Sequence, residues 1–358
     1  MVQLETAQNR SGTDVLAWSR YLVEPAMRAA VDRLPDPVRK VAKYHFGWGD
    51  VQGRLIPAAV AGGGRAIRPA LVLLSAQAVG ALAERAIPAA CAVELVHNFT
   101  LLHDDLMDRD PTRRRRAACW SVFGAAAAIL TGDALLALAF DVLSRCEPAV
   151  GAENRLLAEV LLEMVDGQGA DISFEKRVDV DLAECLRMAA GKTGALLAGA
   201  CALGASTGGG SLDQVEQLRA FGAHLGLAYQ CLDDVRGIWG DPRATGKQAR
   251  SDLVNRKKTL PVVATLCSDT VAGRELAEFY HGDGPLPATD VARAAVLIET
   301  AGGRDWTEAR AIEHLHRATD CLLSAGLQEQ AMAELAELAR LVMAPPDADD
   351  RSRSNGEW

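Results

Sequence analysis

The sequence predicts an all-α protein, and three observations carry this prediction. Apolar residues recur at three- and four-residue spacing, as on one face of a helix, over 86–106, 155–164, 215–240 and 312–343. No stretch sustains the period-2 alternation that marks a half-buried strand. Aromatic residues make up only 5% of the chain and alanine is abundant, which is a composition that favours helices over sheets.

Clusters of glycine and proline separate the helical stretches from one another. They are each too short to be a linker between domains, and they lie at 35–37, 62–64, 208–210 and 282–285. We therefore expect one domain over residues 15–344. The polar segments at the two ends, 1–14 and 345–358, are predicted to be a flexible N-terminal tail and a disordered C-terminal tail.

The charge balance and the apolar stretches argue against two classes of protein. Lys and Arg number 38 against 47 Asp and Glu, and the resulting net charge of −9 disfavours a nonspecific nucleic-acid binder. The apolar stretches 117–143 and 195–205 are interrupted by polar residues or are too short for a bilayer, so we expect buried helices and no transmembrane segment. Residues 1–14 lack a hydrophobic signal core and the eight cysteines occur singly, which favours a cytoplasmic protein with reduced thiols.

A cluster of aspartates ends the helix predicted over 86–106. Asp104 and Asp108 are four residues apart and share one helix face, with Asp105 beside them. Two carboxylates stacked in this way repel each other unless a cation lies between them. Mg²⁺ fits, because it takes one or two carboxylates together with substrate phosphates. The alternative interpretation is a solvated helix end.

Basic residues and a second acidic pair complete the pattern. Four arginines follow the first cluster at 113–116, and their guanidinium groups suit diphosphate oxygens, although a solvated loop or one paired with the acidic cluster is the alternative. Asp233 and Asp234 follow another apolar helix. The Gly-Lys-Thr-Gly string at 191–194 lacks the spacing of a phosphate-binding P-loop, and helix-end solvation is its alternative. Carboxylates together with arginines are what a metal-bridged diphosphate site requires.

The order and spacing of these motifs resemble the trans-isoprenyl diphosphate synthase (polyprenyl synthetase) family. The resemblance covers about 63–261, with a looser helical match to about residue 340. Each string is a weak signal alone, and only the set is specific. The matching strings are Gly63 to Pro69, His97, His103 to Asp108, Arg113 with Arg114, Gly167 with Gln168 and Asp171, Lys192 to Gly194, Gln230 to Asp234, Gly246 with Lys247, and Lys257 with Thr259 and Pro261.

The resemblance implies a fold and a metal. It implies a single isoprenoid-synthase helical bundle around a deep central cavity, in a protein that is usually a homodimer. The two aspartate-rich helices would face each other across the mouth of the cavity and bind Mg²⁺, typically three ions. The residues that the resemblance implies as metal ligands are Asp104, Asp105, Asp108, Asp233 and Asp234.

The resemblance also implies a role for each basic residue that matches a family motif. Arg113, Lys192 and Lys257 would contact the diphosphate of an allylic prenyl substrate. Isopentenyl diphosphate would be held by Arg65, Arg68, His97 and Arg114. Lys247 is a further candidate for contact with a diphosphate or with the surroundings of the metal. Thr193 and Gln230 match positions that line the path of the carbocation, and packing or helix capping is the alternative for both.

The reaction implied is a chain-elongating prenyl transfer, in which ionisation, condensation and elimination follow one another. The resemblance implies that the length of the product depends on what closes the cavity below the first aspartate motif. Phe99 lies five residues before Asp104, roughly 7.5 Å down the helix. Because Phe99 is bulky and Thr100 is small, we expect geranylgeranyl diphosphate, with farnesyl diphosphate as the second possibility. A plain core role is the alternative for Phe99.

Several positions depart from the family pattern. Ala66 replaces an arginine, and Ala117 with Ala118 replaces a Pro-Thr pair. Gly237 takes the place of the third aspartate of the second motif, and Arg236 beside it is unusual. Of these departures, the change at Ala117 and Ala118 bears most on the binding of isopentenyl diphosphate.

Two other functions are compatible with the same pattern. A class I terpene cyclase would ionise one prenyl diphosphate on the same fold without an isopentenyl site. The Asn-x-x-Ser-x-x-x-Glu metal motif of the usual cyclases is absent from the sequence. A non-catalytic partner subunit is the third hypothesis, and the intact Asp104 and Asp108 argue against it.

Overall fold

A computed structural model describes residues 9–56, 64, 66–114, 116–145, 151–241, 250–282 and 284–344. The all-α prediction is confirmed, because 77% of the structure is helical. The strands within the described ranges, β1 (Thr112–Arg113) and β2 (Arg116–Ala117), pair antiparallel as one small hairpin. Predictions for Arg65, Lys247 and 345–358 concern positions outside the described residues.

Helices make up most of the described chain. Two short segments of other types, the 3₁₀ turn Ala83–Ala86 and the π-helical segment Ala190–Gly194, lie directly against α-helices. The α-helices are α1 (Gly12–Val31), α2 (Asp36–His45), α3 (Ile67–Ala78), α4 (Ile87–Met107), α5 (Cys119–Phe123), α6 (Ala125–Leu143), α7 (Ala152–Phe174), α8 (Leu182–Ala189), α9 (Ala195–Gly208), α10 (Leu212–Trp239), α11 (Ser251–Val254), α12 (Leu260–Leu266), α13 (Val271–Tyr280), α14 (Ala288–Thr300), α15 (Gly303–Ser324) and α16 (Glu329–Met343).

The periodic stretches of the sequence lie in these helices, with one difference. Three of them fall in α4, α7 and α10. The fourth, 312–343, is divided between α15 and α16. Gly326 stands between these two helices with φ of 59°. A residue in this left-handed conformation ends a helix, which the apolar spacing on either side does not reveal.

The described chain forms two compact units. Unit 1 comprises Met1–Leu157, Ala200–Leu218 and Ala325–Leu338, and unit 2 comprises Ala158–Gly199, Arg219–Ser324 and Ala339–Trp358. The single domain over 15–344 and its central cavity stay predictions.

Unit 1 is built around α4, which packs against α1, α3 and α6. Leu71, Leu95 and Leu135, from α3, α4 and α6, are all fully buried. The first helix begins at Gly12, before the predicted domain start, because the Ser11 side chain accepts a hydrogen bond from the Asp14 N–H. The helix that carries the first aspartate cluster is thus packed into the core of unit 1.

Two helical stretches in the described chain are long and apolar enough to cross a bilayer, Ala125–Leu143 and Leu182–Gly208. Core helices of soluble proteins pass the same test, and 44% and 72% of the two apolar windows are buried. Both stretches are therefore weak evidence for a membrane span. Ile129 and Leu130 leave part of the first stretch exposed.

Glycines bring three segments of unit 2 into close contact. A Cβ atom on Gly167 of α7 would lie 2.7 Å from the carbonyl carbon of Gly191. A Cβ atom on Gly226 of α10 would lie 2.6 Å from the Cα of Gly194. Larger side chains would force these backbones apart. The π-helical segment Ala190–Gly194 is thereby held between α7 and α10.

Candidate active site

The first aspartate cluster occupies the last turn of α4 and divides into two parts. Asp104 and Asp108 are partly exposed and four residues apart, so they share a face. The Asp105 side chain is only 2% exposed and points elsewhere. The helix ends here because Arg109, just after Asp108, adopts a left-handed φ of 55°.

The buried Asp105 carboxylate forms an ion pair with Arg113 of the hairpin, whose side chain is 29% exposed. Arg113 Nε donates to Asp105 Oδ1 at 2.8 Å, and Nη2 donates to the same oxygen. Burial raises the pKa of Asp105, and the nearby Arg113 only partly offsets this effect. For Arg113, burial would lower the pKa, but the hydrogen bond and negative charge of Asp105 outweigh burial, so the pKa of Arg113 is raised. The pair fixes the hairpin against the end of α4.

The other described arginines of the 113–116 run have different environments. Arg114 lies in the turn with φ of 52°. Arg116 donates to Tyr44 O and Gly49 O, both at 3.1 Å, and its guanidinium lies 4.3 Å from the centre of the Tyr44 ring. Arg116 is thus a structural contact, so only part of the arginine run is available to a ligand.

Arg68, His97 and Arg114 form a cationic cluster in unit 1. Gly64 lies close to the Arg114 guanidinium, because a Cβ atom on Gly64 would be 2.8 Å from Arg114 Nη2. Gly64 therefore lies beside this cluster. Glu94 is the acidic neighbour, and burial raises its pKa although Arg68 and Arg114 oppose this. Burial lowers the pKa of Arg114, against the pull of Glu94. The cluster carries more positive than negative charge and suits an anion.

His97 is neutral in this cluster. Burial, followed by the charges of Arg68 and Arg114, places the pKa of His97 well below its ordinary value. Arg68 Nη1 lies 3.2 Å from His97 Nε2. Arginine only donates, so Nε2 accepts and the ring proton is assigned to Nδ1. His97 can therefore present an N–H donor to an anion.

His45 is a neighbour that the sequence analysis missed, since a lone histidine at the end of α2 gives no signal. Burial, then Arg114 and Arg113, lowers the pKa of His45 to about 3. The residue lines a small cavity with Arg113, Arg114 and Ala117, among others. The small side chain of Ala117 thus borders open space beside the arginines.

The alanine departures have local structural explanations. Ala66 caps the start of α3 in a left-handed conformation, with φ of 57°. Ala118 is buried, and the Ala117 carbonyl accepts a hydrogen bond from the Tyr44 hydroxyl at 2.9 Å. These alanines are parts of the folded unit 1, and Arg68, His97 and Arg114 are assembled beside them.

Phe99 is held from one side by His103, one turn further along α4. The two rings meet edge to face with centroids 4.8 Å apart. His103 Nε2 donates to Ile129 O at 3.2 Å. Gly132 leaves the space for this imidazole, because a Cβ there would lie 2.5 Å from His103 Cδ2. The Phe99 ring is therefore restrained by a contact between α4 and α6.

Lys192 of unit 2 lies in the π-helical segment and pairs with α7. Its Nζ is 2.5 Å from Asp171 Oδ2, and both side chains are about one quarter exposed. π-helical segments occur frequently at functional sites. Lys192 and Asp171 belong to two separate motifs of the sequence, and this pairing brings them together.

Thr193, Gln230 and Asp234 form one hydrogen-bond chain. Thr193 Oγ1 donates to Gln230 Oε1 at 2.5 Å, and Gln230 Nε2 donates to Asp234 Oδ1 at 2.6 Å. The other Asp234 oxygen accepts from the Leu260 N–H at 2.8 Å. Burial raises the pKa of Asp234 to about 7, opposed by these hydrogen bonds. Both Asp234 oxygens are thus already bonded within the protein.

The remaining residues of the second motif lie toward the end of α10. Asp233 is partly exposed, unlike Asp234. Arg236 donates to Met343 O and Ala344 O at 3.3 and 2.9 Å, at the C-terminal end of α16. Lys257 is partly exposed, and its N–H bonds to Asp252 O at 2.8 Å.

The aspartates of each unit carry the oxygen ligands that Mg²⁺ prefers. Among the described residues, no group of three His, Cys, Asp or Glu side chains is already gathered around one point. Mg²⁺ does not require such a cage, because it keeps several waters and combines one or two carboxylates with substrate phosphates. Asp104 and Asp108 in unit 1, and Asp233 in unit 2, are partly exposed aspartates with oxygen ligands of this type.

Comparison with known proteins gives one consistent result. The chain matches the model of the polyprenyl synthetase family over residues 53–297. It is 46% identical to a (2E,6E)-farnesyl diphosphate synthase of Mycobacterium tuberculosis, covering 92% of both chains. It is 42% identical to a geranylgeranyl diphosphate synthase of the same organism, over 87% of this chain and 89% of that one.

A solved structure agrees with the sequence relatives. The polyprenyl synthetase from Streptomyces coelicolor A3(2) is 45% identical, with a TM-score of 0.85 over 92% of this chain and 99% of that one. The family match covers more than half of the sequence, and both curated relatives exceed 40% identity over most of their length. The chain therefore belongs to the polyprenyl synthetase family of prenyltransferases.

Proposed function

We propose that this enzyme uses Mg²⁺ to condense isopentenyl diphosphate with an allylic prenyl diphosphate, giving a medium-chain all-trans prenyl diphosphate. The observation that carries this proposal is the cationic cluster of Arg68, His97 and Arg114 in unit 1. These residues are distinct from Asp104 and Asp108, which would bind a diphosphate through metal. An enzyme that joins two diphosphates needs a second anion site, whereas a cyclase that ionises one does not.

The proposed isopentenyl site works by direct hydrogen bonding. Arg68 and Arg114 would donate to diphosphate oxygens, and His97 would donate through Nδ1 because Nε2 faces Arg68. A neutral His97 adds a directed donor without adding to the repulsion between the two arginines. Arg65, outside the described residues, is expected to add further positive charge to this site. Lys247, also outside them, stays a candidate for contact with a diphosphate or with the surroundings of the metal.

The proposed allylic site combines magnesium with basic side chains. Asp104, Asp108 and Asp233 would hold the ions, of which three are expected, and Mg²⁺ would stabilise the charge of the departing diphosphate. Lys192, Lys257 and Arg113 would supply donors. Asp105 and Asp234, whose carboxylates bond to Arg113 and to Gln230 and Leu260, would orient neighbouring groups rather than bind metal directly.

Thr193 and Gln230 would act on the carbocation as oriented dipoles. The Gln230 carbonyl oxygen accepts a hydrogen bond from the Thr193 hydroxyl, and the Gln230 amide nitrogen donates a hydrogen bond to Asp234. The amide orientation is therefore set before substrate arrives, as electrostatic preorganisation requires. Partial negative charge on these oxygens would favour a nearby cation without offering a strong nucleophile.

We expect Phe99 to limit the chain length, so that Phe99→Ala yields a product longer by at least one isoprene unit. Removing the ring leaves open the space that it occupies beside His103. The length of the product alcohols after phosphatase treatment, measured by mass spectrometry, tests this. Phe123→Ala is the matched control, because that partly buried ring packs against Tyr44. If the product length is unchanged in Phe99→Ala, Phe99 is a core residue that does not limit the chain length.

The decisive assay incubates the purified protein with Mg²⁺ and each allylic diphosphate, with and without isopentenyl diphosphate. Prenyl alcohols that lengthen only with isopentenyl diphosphate support elongation, with geranylgeranyl diphosphate the expected product and farnesyl diphosphate the alternative. Cyclic or hydrocarbon products from one prenyl diphosphate would instead favour a class I terpene cyclase. No product in any tube would favour a non-catalytic partner subunit. A cytoplasmic homodimer is part of the same proposal.

A further inference from the structure

The second aspartate motif has a glycine where the family pattern has its third aspartate. Gly237 follows Asp233 by four residues on α10. Residues four apart share a helix face, with Cβ atoms about 5–6 Å apart. A side chain at position 237 would therefore project beside that of Asp233, and its absence leaves room for another group.

That room is filled by a carboxylate from another element. Asp252 belongs to the short helix α11. A Cβ atom on Gly237 would lie 2.7 Å from Asp252 Cγ and 3.4 Å from its Oδ1, and it would overlap Oδ2. The side chain of Asp252 thus occupies the volume in which the missing aspartate side chain would begin.

Two features fix Asp252 in this position. Helix α11 starts directly after Arg250, which adopts a left-handed φ of 58°. The Asp252 carbonyl accepts the Lys257 N–H at 2.8 Å, so one compact turn carries both residues. Asp252 is therefore held by the same segment that presents a lysine expected to contact diphosphate.

The charges around Gly237 favour a cation. Asp233 lies one turn before Gly237 on α10, and the Asp252 carboxylate lies against Gly237. Both carboxylates therefore act electrostatically on the same region of α10. Like charges gathered in this way are stabilised by a divalent cation with oxygen ligands.

We propose that Asp252 supplies the third carboxylate of the second aspartate motif, in the volume left open by Gly237, and helps Asp233 to hold Mg²⁺. This inference rests on the proposed function. It explains why a chain lacking the third aspartate can retain the acidic character of the site, since the carboxylate comes from α11 instead of α10. Gly237 is then a requirement of the site and not a lost ligand.

The first test measures Mg²⁺ binding apart from turnover. Calorimetric titration of Mg²⁺ into the full-length protein with inorganic diphosphate is expected to show about 10–100-fold weaker binding in Asp252→Asn. Asp269→Asn is the matched control, because Asp269 is an exposed aspartate of unit 2. Binding by Asp252→Asn equal to that of the unsubstituted protein would overturn the inference.

The second test moves the carboxylate from α11 back to α10. Gly237→Asp alone is expected to lower the melting temperature, since its Cβ would overlap Asp252. Combining Gly237→Asp with Asp252→Gly removes the overlap and returns a carboxylate to the same region. Mg²⁺ affinity in this double variant should exceed that of Asp252→Asn by about tenfold. A double variant that binds as weakly as Asp252→Asn would contradict the proposal, even if Asp252→Asn is partly unfolded.

The elongation assay separates this inference from the proposed function. If the unsubstituted protein binds Mg²⁺ and diphosphate with the expected dependence on Asp252 but does not elongate, the proposed reaction fails and the carboxylate assignment stands. If it elongates but its Mg²⁺ affinity is indifferent to Asp252, the assignment fails and the reaction stands.

Discussion

Replacing Asp104 or Asp108 with asparagine is expected to lower kcat/KM by roughly 10³-fold. Each substitution keeps the size and polarity of the side chain but removes one negative charge from the shared face of α4. The departing diphosphate then loses part of the charge stabilisation that the transition state requires. Steady-state elongation at saturating isopentenyl diphosphate measures the effect, with the Mg²⁺ concentration varied for each protein.

The control for this prediction is Asp213→Asn, at an exposed aspartate in the first turn of α10. It should leave kcat/KM within about twofold of the original value, because surface substitutions rarely affect distant chemistry. Melting temperatures close to that of the original protein would show that Asp104 and Asp108 do not act through stability. Turnover retained by either variant at ordinary Mg²⁺ concentration would contradict the metal assignment.

The sequence predicts the elements of this fold better than the contacts between them. The three- and four-residue apolar spacing that predicts α4, α7 and α10 is a property of one segment and needs no partner. The same holds for the shared face of Asp104 and Asp108, which follows from helix geometry alone. The end of a helix at Gly326 is less visible, because a single left-handed residue interrupts a continuous apolar pattern.

Contacts between distant residues decide the rest of the site. Asp105 and Asp234 lie next to proposed metal ligands in the sequence, yet their carboxylates are bonded to Arg113 and to Gln230 and Leu260. From the sequence, adjacent aspartates are equally good candidates for metal ligands. The structure distinguishes them, because Asp105 and Asp234 are buried whereas Asp104 and Asp233 are partly exposed. Similarly, Gly237 is only a missing aspartate until the position of Asp252 is known.

Arg113→Met is expected to lower the free energy of unfolding by about 3–5 kcal/mol. It would leave the Asp105 carboxylate, which is 2% exposed, buried without the cation that now bonds to it. An uncompensated buried charge is far more destabilising than the loss of a surface ion pair. The unfolding free energy from urea titration, followed by circular dichroism, measures this effect independently of any role of Arg113 in binding diphosphate.

Two comparisons isolate the buried charge as the cause. Arg293→Met breaks the pair with Glu275, whose side chains are 52% and 35% exposed, and should lower the unfolding free energy by at most about 1 kcal/mol. Asp105→Asn in the Arg113→Met background removes the stranded charge and should recover much of the loss, giving a non-additive double-mutant cycle. Additive effects, or a loss of less than about 1 kcal/mol in Arg113→Met, would show that this pair does not stabilise the end of α4.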